Sequence, residues 1–575
     1  MHARTRSTFR SPRFAQAAAL LALGAPALRA QTACGASSGP DLVLTAIPGV
    51  ANYAASGGFD ALAVGYDVTN VGNTWANFFA NTSAHPVFGS GIYKLATVDG
   101  ATRFEQLGTS WLQHGFFALS NGSVCTCTPT DGTHLGVGCT DPSTAARNGT
   151  QTGLGPRWQV DAASGTFPYP PANPAWSGST ARRLRVAVAD LEPIGGPGGV
   201  RYFVEKQVVS ADDAAAGNGA NNATWREVAA TQSAGEWSFS ALGSTRREEP
   251  ALRAWKEADP LVQITSVDVP GDGRFHLGWR VTPVAGGRWR YDYALHNLSS
   301  TRAARSFEVP VAPNVALSAL GFHDVAHHSG DGIGNLDQEG TDWTPSLSGG
   351  VLAWSTATFA QDPNGNALRW GTLYNFRFDA DAPPVAGSVT IETFTVAGSV
   401  AIAADVPGSS GAPGEILCSG DGIDPAAAPC PCANAGALQH GCANSQVAAG
   451  ARLASSGTAS PDTVVLTASG ELPTALSIFL QGDQVLSPGV PFGDGVRCAG
   501  GALRRLASDN AVGGTVSFPG PGDPSITARS AALGDPIAPG STRWYQTYYR
   551  DPDLGFCPAP SGDSWNVTNA LRIAW

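Results

Sequence analysis

Between positions 262 and 403, apolar and polar side chains change places at every second residue. Phe275, Leu277, Trp279 and Val281 alternate with His276, Gly278 and Arg280; Trp289, Tyr291, Tyr293 and Leu295 alternate with Arg290, Asp292 and His296. A period of two sends the two sets to opposite faces of an extended chain, so this stretch must form half-buried antiparallel strands. Phe307, Val309 and Val311 continue the pattern, followed by Leu352 and Trp354, by Trp370, Thr372, Tyr374, Phe376 and Phe378, and by Val389 and Ile391. With Gly, Pro and Asn turns between the runs, about six strands are expected, which predicts a β-sandwich over 262–403.

The same period recurs on both sides. Val464, Leu466 and Ala468, then Trp544, Gln546 and Tyr548, then Leu571, Ile573 and Trp575 predict a Cys-rich C-terminal β domain over 418–575, built as a second small sandwich with Trp575 in its core. Residues 31–243 read as an N-terminal β-rich domain with a disulfide loop, with strand candidates at Leu184–Ala189 and Tyr202–Val209. Residues 244–260 form a linking helix, since Thr245 and Glu248 have capping-box spacing, Leu252 and Trp255 share a face, and Asp259-Pro260 ends it. The run Ala404–Leu417, rich in Pro, Gly and Ser, is a linker. The expected fold is therefore mainly β: tandem β-sandwich-like domains, one short linking helix and a Cys-rich C-terminal β domain.

The first thirty residues carry Arg4, Arg6, Arg10, Arg13 and Arg29, no acidic residue, and an apolar run from Ala15 to Ala27. That order is a secretory signal peptide over 1–30, cut after Ala30. Its apolar run is shorter than the ~20 residues of a membrane span, and no later segment is long and apolar enough to be one. Loss of the five arginines takes the formal net charge from −11 to −16. So acidic a chain disfavours nucleic acid and polyphosphate ligands, and the expected location is secreted or at the cell surface. The ten cysteines fall into two even sets, Cys34, Cys125, Cys127 and Cys139, then Cys418, Cys430, Cys432, Cys442, Cys498 and Cys557. Export favours disulfides within each set. Zinc fits less well, because Cys125/Cys127 and Cys430/Cys432 leave one residue between sulfurs where zinc knuckles use about two to four. The pairing within each set is open.

Several motifs carry a resemblance: Cys430-Pro431-Cys432-Ala433-Asn434, His440-Gly441-Cys442-Ala443-Asn444, Phe492-Gly493-Asp494-Gly495, Tyr545–Asp551 and Phe556-Cys557 at the end, and Ser110-Trp111-Leu112-Gln113-His114 and Gly321-Phe322-His323-Asp324 upstream. In these the chain resembles uncharacterised exported multi-domain proteins of planctomycete-type bacteria, over most of its mature length. The resemblance implies an exported, modular, bacterial protein and brings no activity with it.

The chain carries no H-E-x-x-H, no P-loop and no G-x-G-x-x-G between a strand and a helix. Imidazole and carboxylate gather at His323, Asp324, His327 and His328, followed by Asp331, Asp337, Glu339 and Asp342. Such a set suits zinc or iron, and His323, Asp324, His327, Asp331 and Asp337 are the candidate metal ligands. If 320–327 is a strand, however, His323 and His327 stand about 13 Å apart, and a hydrogen-bonded histidine at a strand end is the plainer reading. Asp331–Glu339 is also a candidate calcium loop, although not an EF-hand, whose sixth and twelfth positions would here be Leu336 and Asp342. His114 and His134 flank the first cysteine group, where a disulfide-pinned loop can present them, and the fifteen Trp leave room for a sugar-stacking platform. No catalytic residue is assigned and no cofactor is required. The favoured function is a non-enzymatic exported or surface protein binding a glycan or envelope component, with 418–575 serving attachment or sorting. The alternative is an extracellular hydrolase or metal-dependent enzyme centred near His323 and Asp324.

Overall fold

In a computed structural model of the protein, residues 33–122, 124–191, 199–233, 235–408, 412–423 and 427–575 are described. The signal peptide expected over 1–30 lies outside them. The alternating stretch forms two five-stranded antiparallel sheets. One runs, in spatial order, through Gln263–Asp268, Arg274–Val284, Arg288–Asn297, Thr372–Ala380 and Leu317–His323; the other through Thr344–Ser348, Val351–Ser355, Ala304–Pro310, Pro384–Thr393 and Ser399–Pro407. Phe275, Leu277, Tyr291, Tyr293, Tyr374 and Phe376 of the first meet Phe307, Val309, Leu352, Trp354 and Ile391 of the second in one core. Phe307 and Phe376 stack with centroids 4.3 Å apart. Each such side chain removed from water contributes about 1.5–3 kcal/mol.

The polar face of this sandwich is not in water, and here half-burial was the wrong expectation. His276, Asp292, His296 and Asn297 are all buried. One cover is the short helix Arg253–Ala258, with Leu252 and Trp255 so close that a Cβ on Gly278 would meet Leu252 Cδ1 at 2.9 Å. The other is a seven-stranded sheet whose principal strands are Val87–Val98, Arg201–Val209, Ala223–Ser233 and Glu236–Arg246, with Ala101–Thr109 alongside Val87–Val98. Tyr93, Phe104, Phe203 and Trp225 of that sheet share a core with Trp255, Ala294 and Leu373. Polar groups between the layers pair with one another: Gln106 Oε1 accepts from Leu373 N (2.7 Å), Asn375 Nδ2 donates to Phe104 O (2.7 Å), and Arg103 Nε donates to Asp292 (3.2 Å). This pairing is required because a buried polar group left alone costs about 1–3 kcal/mol. On its other side the seven-stranded sheet packs on one three-stranded sheet (Val50–Ser56, Phe59–Val64, Leu184–Ala187) through Leu62, Val64, Ile92, Leu107 and Val204, and on a second (Leu42–Ala46, Tyr66–Asn70, Thr140–Ser143) through Leu42, Leu44, Val68, Phe88 and Val208.

The linking helix is shorter than expected and starts differently. Strand Glu236–Arg246 runs through Thr245, whose Oγ1 accepts from Ile47 N (3.1 Å), and Glu248 sits at φ 61°, so the capping box does not form. Sheet pairing outcompeted the local cap. The expected linker is also partly strand, since Ser399–Pro407 includes its first residues and Glu415–Leu417 pairs with Ala570–Ala574. Past it, Gln439 reaches back to the sandwich, where Oε1 accepts from Leu317 N (2.6 Å) and Nε2 donates to Val315 O (2.9 Å). A side-chain amide there imitates a pairing strand.

In the C-terminal region a six-stranded sheet and the three-stranded sheet Arg452–Ser456, Val465–Ser469 and Thr515–Phe518 enclose Leu453, Leu466, Phe479, Tyr545 and Ile573. Trp575 packs against that core, edge-on to Tyr545 at 6.2 Å. The disulfides are Cys34–Cys125 and Cys127–Cys139 upstream, then Cys418–Cys498, Cys430–Cys442 and Cys432–Cys557. Each stays within its own set, and five of them indicate an oxidising, extracellular environment. Among the described residues no helix is long and apolar enough to cross a membrane.

Candidate functional site

The residues singled out around 323–337 do not converge. Strand Leu317–His323 stops at His323, four residues earlier than the alternation suggested, and the chain then continues as a loop. Each side chain is taken up separately. His323 Nε2 donates to Gln106 O (3.1 Å), His328 Nε2 donates to Thr109 O (3.0 Å), and His327 Nε2 lies 3.3 Å from Tyr374 OH. Burial drives His327 and His328 down to about 3, so both rings are neutral. Asp324 accepts from Asn366 Nδ2 (2.5 Å), and burial raises its pKa. The Asp331 carboxyl accepts from Arg157 N (2.7 Å) and is raised by burial to about 6, while Asp337 accepts from Gly330 N (2.8 Å). Glu339 likewise accepts from Thr341 N (3.0 Å), so the expected calcium loop spends all three of its carboxylates on main-chain N–H groups. Among the described residues no three His, Cys, Asp or Glu side chains are arranged to hold a metal ion.

An exposed cluster of a different kind lies at the first cysteine group. Strand Ala76–Asn77 pairs with His134–Leu135, Ala76 opposite Leu135 and Asn77 opposite His134. Ala76, Phe78 and Leu135 point into a core, and the period of two turns Trp75 outward, where it is 62% exposed. Its ring lies 5.2 Å from His134, and Phe79 meets His134 edge-on at 4.8 Å. With Asn73, Thr130, Asp131 and His134, Trp75 lines a groove of about 620 Å³.

The groove is held rigidly from below. Buried Asn70 donates through Nδ2 to Thr74 O (2.7 Å) and Leu135 O (3.0 Å), tying its two walls together. The Cys127–Cys139 disulfide closes the wall Thr128–Val137, and the turn inside it needs glycine: a Cβ on Gly138, at φ 73°, would lie 2.1 Å from Thr126 O. Asp131 accepts from Thr133 N (3.0 Å) and Thr133 Oγ1 (2.5 Å), which holds its carboxyl below the usual carboxylate range and keeps it ionised in solvent. Ala118 N donates to Gly132 O (2.8 Å), so the exposed rings of Phe116 and Phe117 stand beside the same loop.

Beneath it, His85 and His114 form a direct pair, Nε2 to Nδ1 at 3.0 Å. His85 Nδ1 donates to Phe79 O (3.3 Å), so its Nε2 accepts and His114 Nδ1 carries the proton. Burial, then the neighbouring His85, lowers His114 to about 4. The pair is neutral and structural.

No protein-family model and no curated protein matches this chain.

The arrangement therefore speaks through its own chemistry. An exposed indole, an ionised carboxylate and amide and hydroxyl groups along an open groove are suited to a polar ligand with an apolar face. Sequence reasoning named His134 and an unlocated Trp platform but missed Trp75, Asn73 and Asp131. The available signal was local: Trp75 follows Val71-Gly72-Asn73-Thr74, a turn composition outside any alternating run, where a large aromatic has no core to enter.

Proposed function

We propose that the protein is an exported, non-enzymatic glycan-binding protein acting at or beyond the cell surface, and that the Trp75 groove holds the sugar. The observation that carries this reading is the exposed face of Trp75 at the rim of a preformed, mainly apolar groove that Asn73, Thr130 and Asp131 edge with polar groups. A pyranose presents a C–H face that stacks on an indole, and hydroxyls that pair with groups such as Asp131 and Asn73. Rigidity supports it too, because a groove fixed by Asn70 and a disulfide loses little entropy on binding. The groove is preferred to His323 and Asp324 because those side chains are committed to Gln106 O and Asn366 Nδ2.

The test is a glycan array on the full chain, followed by calorimetric titration of the best ligand into the protein and Trp75→Ala. Loss of one stacking ring is expected to weaken binding about tenfold or more. Equal affinity in the variant, or no glycan bound at all, overturns the proposal.

A further inference from the structure

A second cavity, of about 120 Å³, lies between the sandwich and the segment that follows the upstream strands, lined by Arg157, His327, Asp331, Gln338, Arg369 and Trp370 among others. Its volume is that of roughly four water molecules. The two arginines are unusual in how they are spent. Arg157 is 8% exposed, with Nε donating to Ser110 O (2.6 Å) and Nη2 to Ser90 O (3.2 Å), and its guanidinium lies 5.0 Å over the Trp370 ring. Arg369 donates to Gln338 Oε1 (3.0 Å), Gly365 O (3.1 Å) and Pro363 O (3.2 Å). These acceptors are all neutral oxygens, so the hydrogen bonds do not cancel the charges. Among the described residues, Arg157 Nη1 is buried without a hydrogen-bond partner.

Buried Arg157 and half-buried Arg369 have Asp331, Glu205 and Asp362 as their neighbouring carboxylates, but of these only Asp331 lines the cavity, and it is already engaged by Arg157 N. His327 on the same wall is neutral and adds none. Burial holds it so, and the nearby guanidiniums of Arg369, Arg185 and Arg157 act in the same direction. A buried cation on neutral partners carries a desolvation cost of several kcal/mol that an anion removes. We propose that this cavity is a binding site for a small carboxylate, held by the guanidiniums of Arg157 and Arg369. A carboxylate's planar pair of oxygens matches the guanidinium fork, and a four-atom acetate matches the volume.

The probe is acetate, titrated into the full chain by calorimetry and by NMR of carboxyl-labelled acetate, with neutral acetamide in parallel and Arg369→Gln as the variant. The expected result is saturable binding at one site, about tenfold or more weaker for acetamide and for the folded variant. Unsaturable acetate, equal binding of acetamide, or an unchanged affinity in folded Arg369→Gln overturns it. Should that variant not fold, the comparison of acetate with acetamide on the unaltered chain decides by itself.

Discussion

The loop at 324–343 and the loop at 127–139 carry similar residues, histidines and aspartates beside a tryptophan, and put them to opposite use. In the first, Trp343 is fully buried and donates to Asn366 O, His328 and Asp331 are buried as well, and their polar atoms hold neighbouring main chain. In the second, His134 and Asp131 line an open groove with Trp75 at its rim. Where the first loop is buried, any polar atom left unpaired costs about 1–3 kcal/mol, so His328, Asp331 and Trp343 are recruited as glue. The second is closed by its own disulfide and has little to cover. A loop that covalent chemistry holds in place can leave its side chains to a ligand.

That contrast can be broken at several points. The largest effect is expected from Trp343→Ala, which empties a site packed by Phe322, Tyr374 and Phe376. It should cost about 3–5 kcal/mol in denaturant unfolding; a loss under about 1 kcal/mol would mean that the first loop is not part of the core. Replacing Cys127 and Cys139 together with Ser opens a loop of sequence separation 12 and should cost about 3 kcal/mol, read from the unfolding midpoint. Sugar binding should weaken in the same protein, and full affinity without the disulfide would remove its role in shaping the groove.

The third effect is a slope. Asp331 is raised from 3.8 to about 6, so the folded state keeps a proton there that the unfolded chain releases, and its stabilising contribution, present below pH 4, is lost as pH rises to 6. His327 and His328, lowered from 6.5 to about 3, work the other way, because the unfolded chain takes up protons that the folded state refuses as pH falls below 6.5. Removing the opposing carboxyl with Asp331→Asn should therefore steepen the loss of stability on acidification by about 1.4 kcal/mol per pH unit between pH 4 and 6. Unfolding curves for the two proteins at three pH values in that window test it, and parallel slopes would refute it. The smallest effect belongs to Trp75→Ala, expected to change stability by no more than about 0.5 kcal/mol. A larger cost would assign Trp75 to packing and blur the difference between the loops.

The strands of the sandwich were legible because their alternation is set by backbone geometry, as Phe275, Leu277, Tyr291 and Tyr293 illustrate by entering one core. What covers the opposite face was not. His276, Asp292 and His296 look like solvent positions and are buried because a helix and a second sheet arrive from elsewhere in the chain. Thr245 and Glu248 have the spacing of a cap, yet Thr245 lies in strand Glu236–Arg246 and its hydroxyl accepts from Ile47 N. At the candidate sites the same gap appears. His323 and Asp331 were visible as residue types, but whether they meet each other or the main chain depends on the path of the loop. Trp75 and Asp131, far apart in sequence, meet only through the pairing of Ala76–Asn77 with His134–Leu135.

Taken alone, the amino-acid order determined a mainly β chain and the division of ten cysteines into two even sets, because these depend on local periodicity and composition. Tertiary structure decided which pairs the cysteines form, which polar face is buried and which His-Asp cluster is consumed internally. It also decided that one tryptophan out of fifteen stands exposed over a groove. The physical reason is that burial is a property of what lies opposite, and contacts between distant segments carry no signature in the segments themselves.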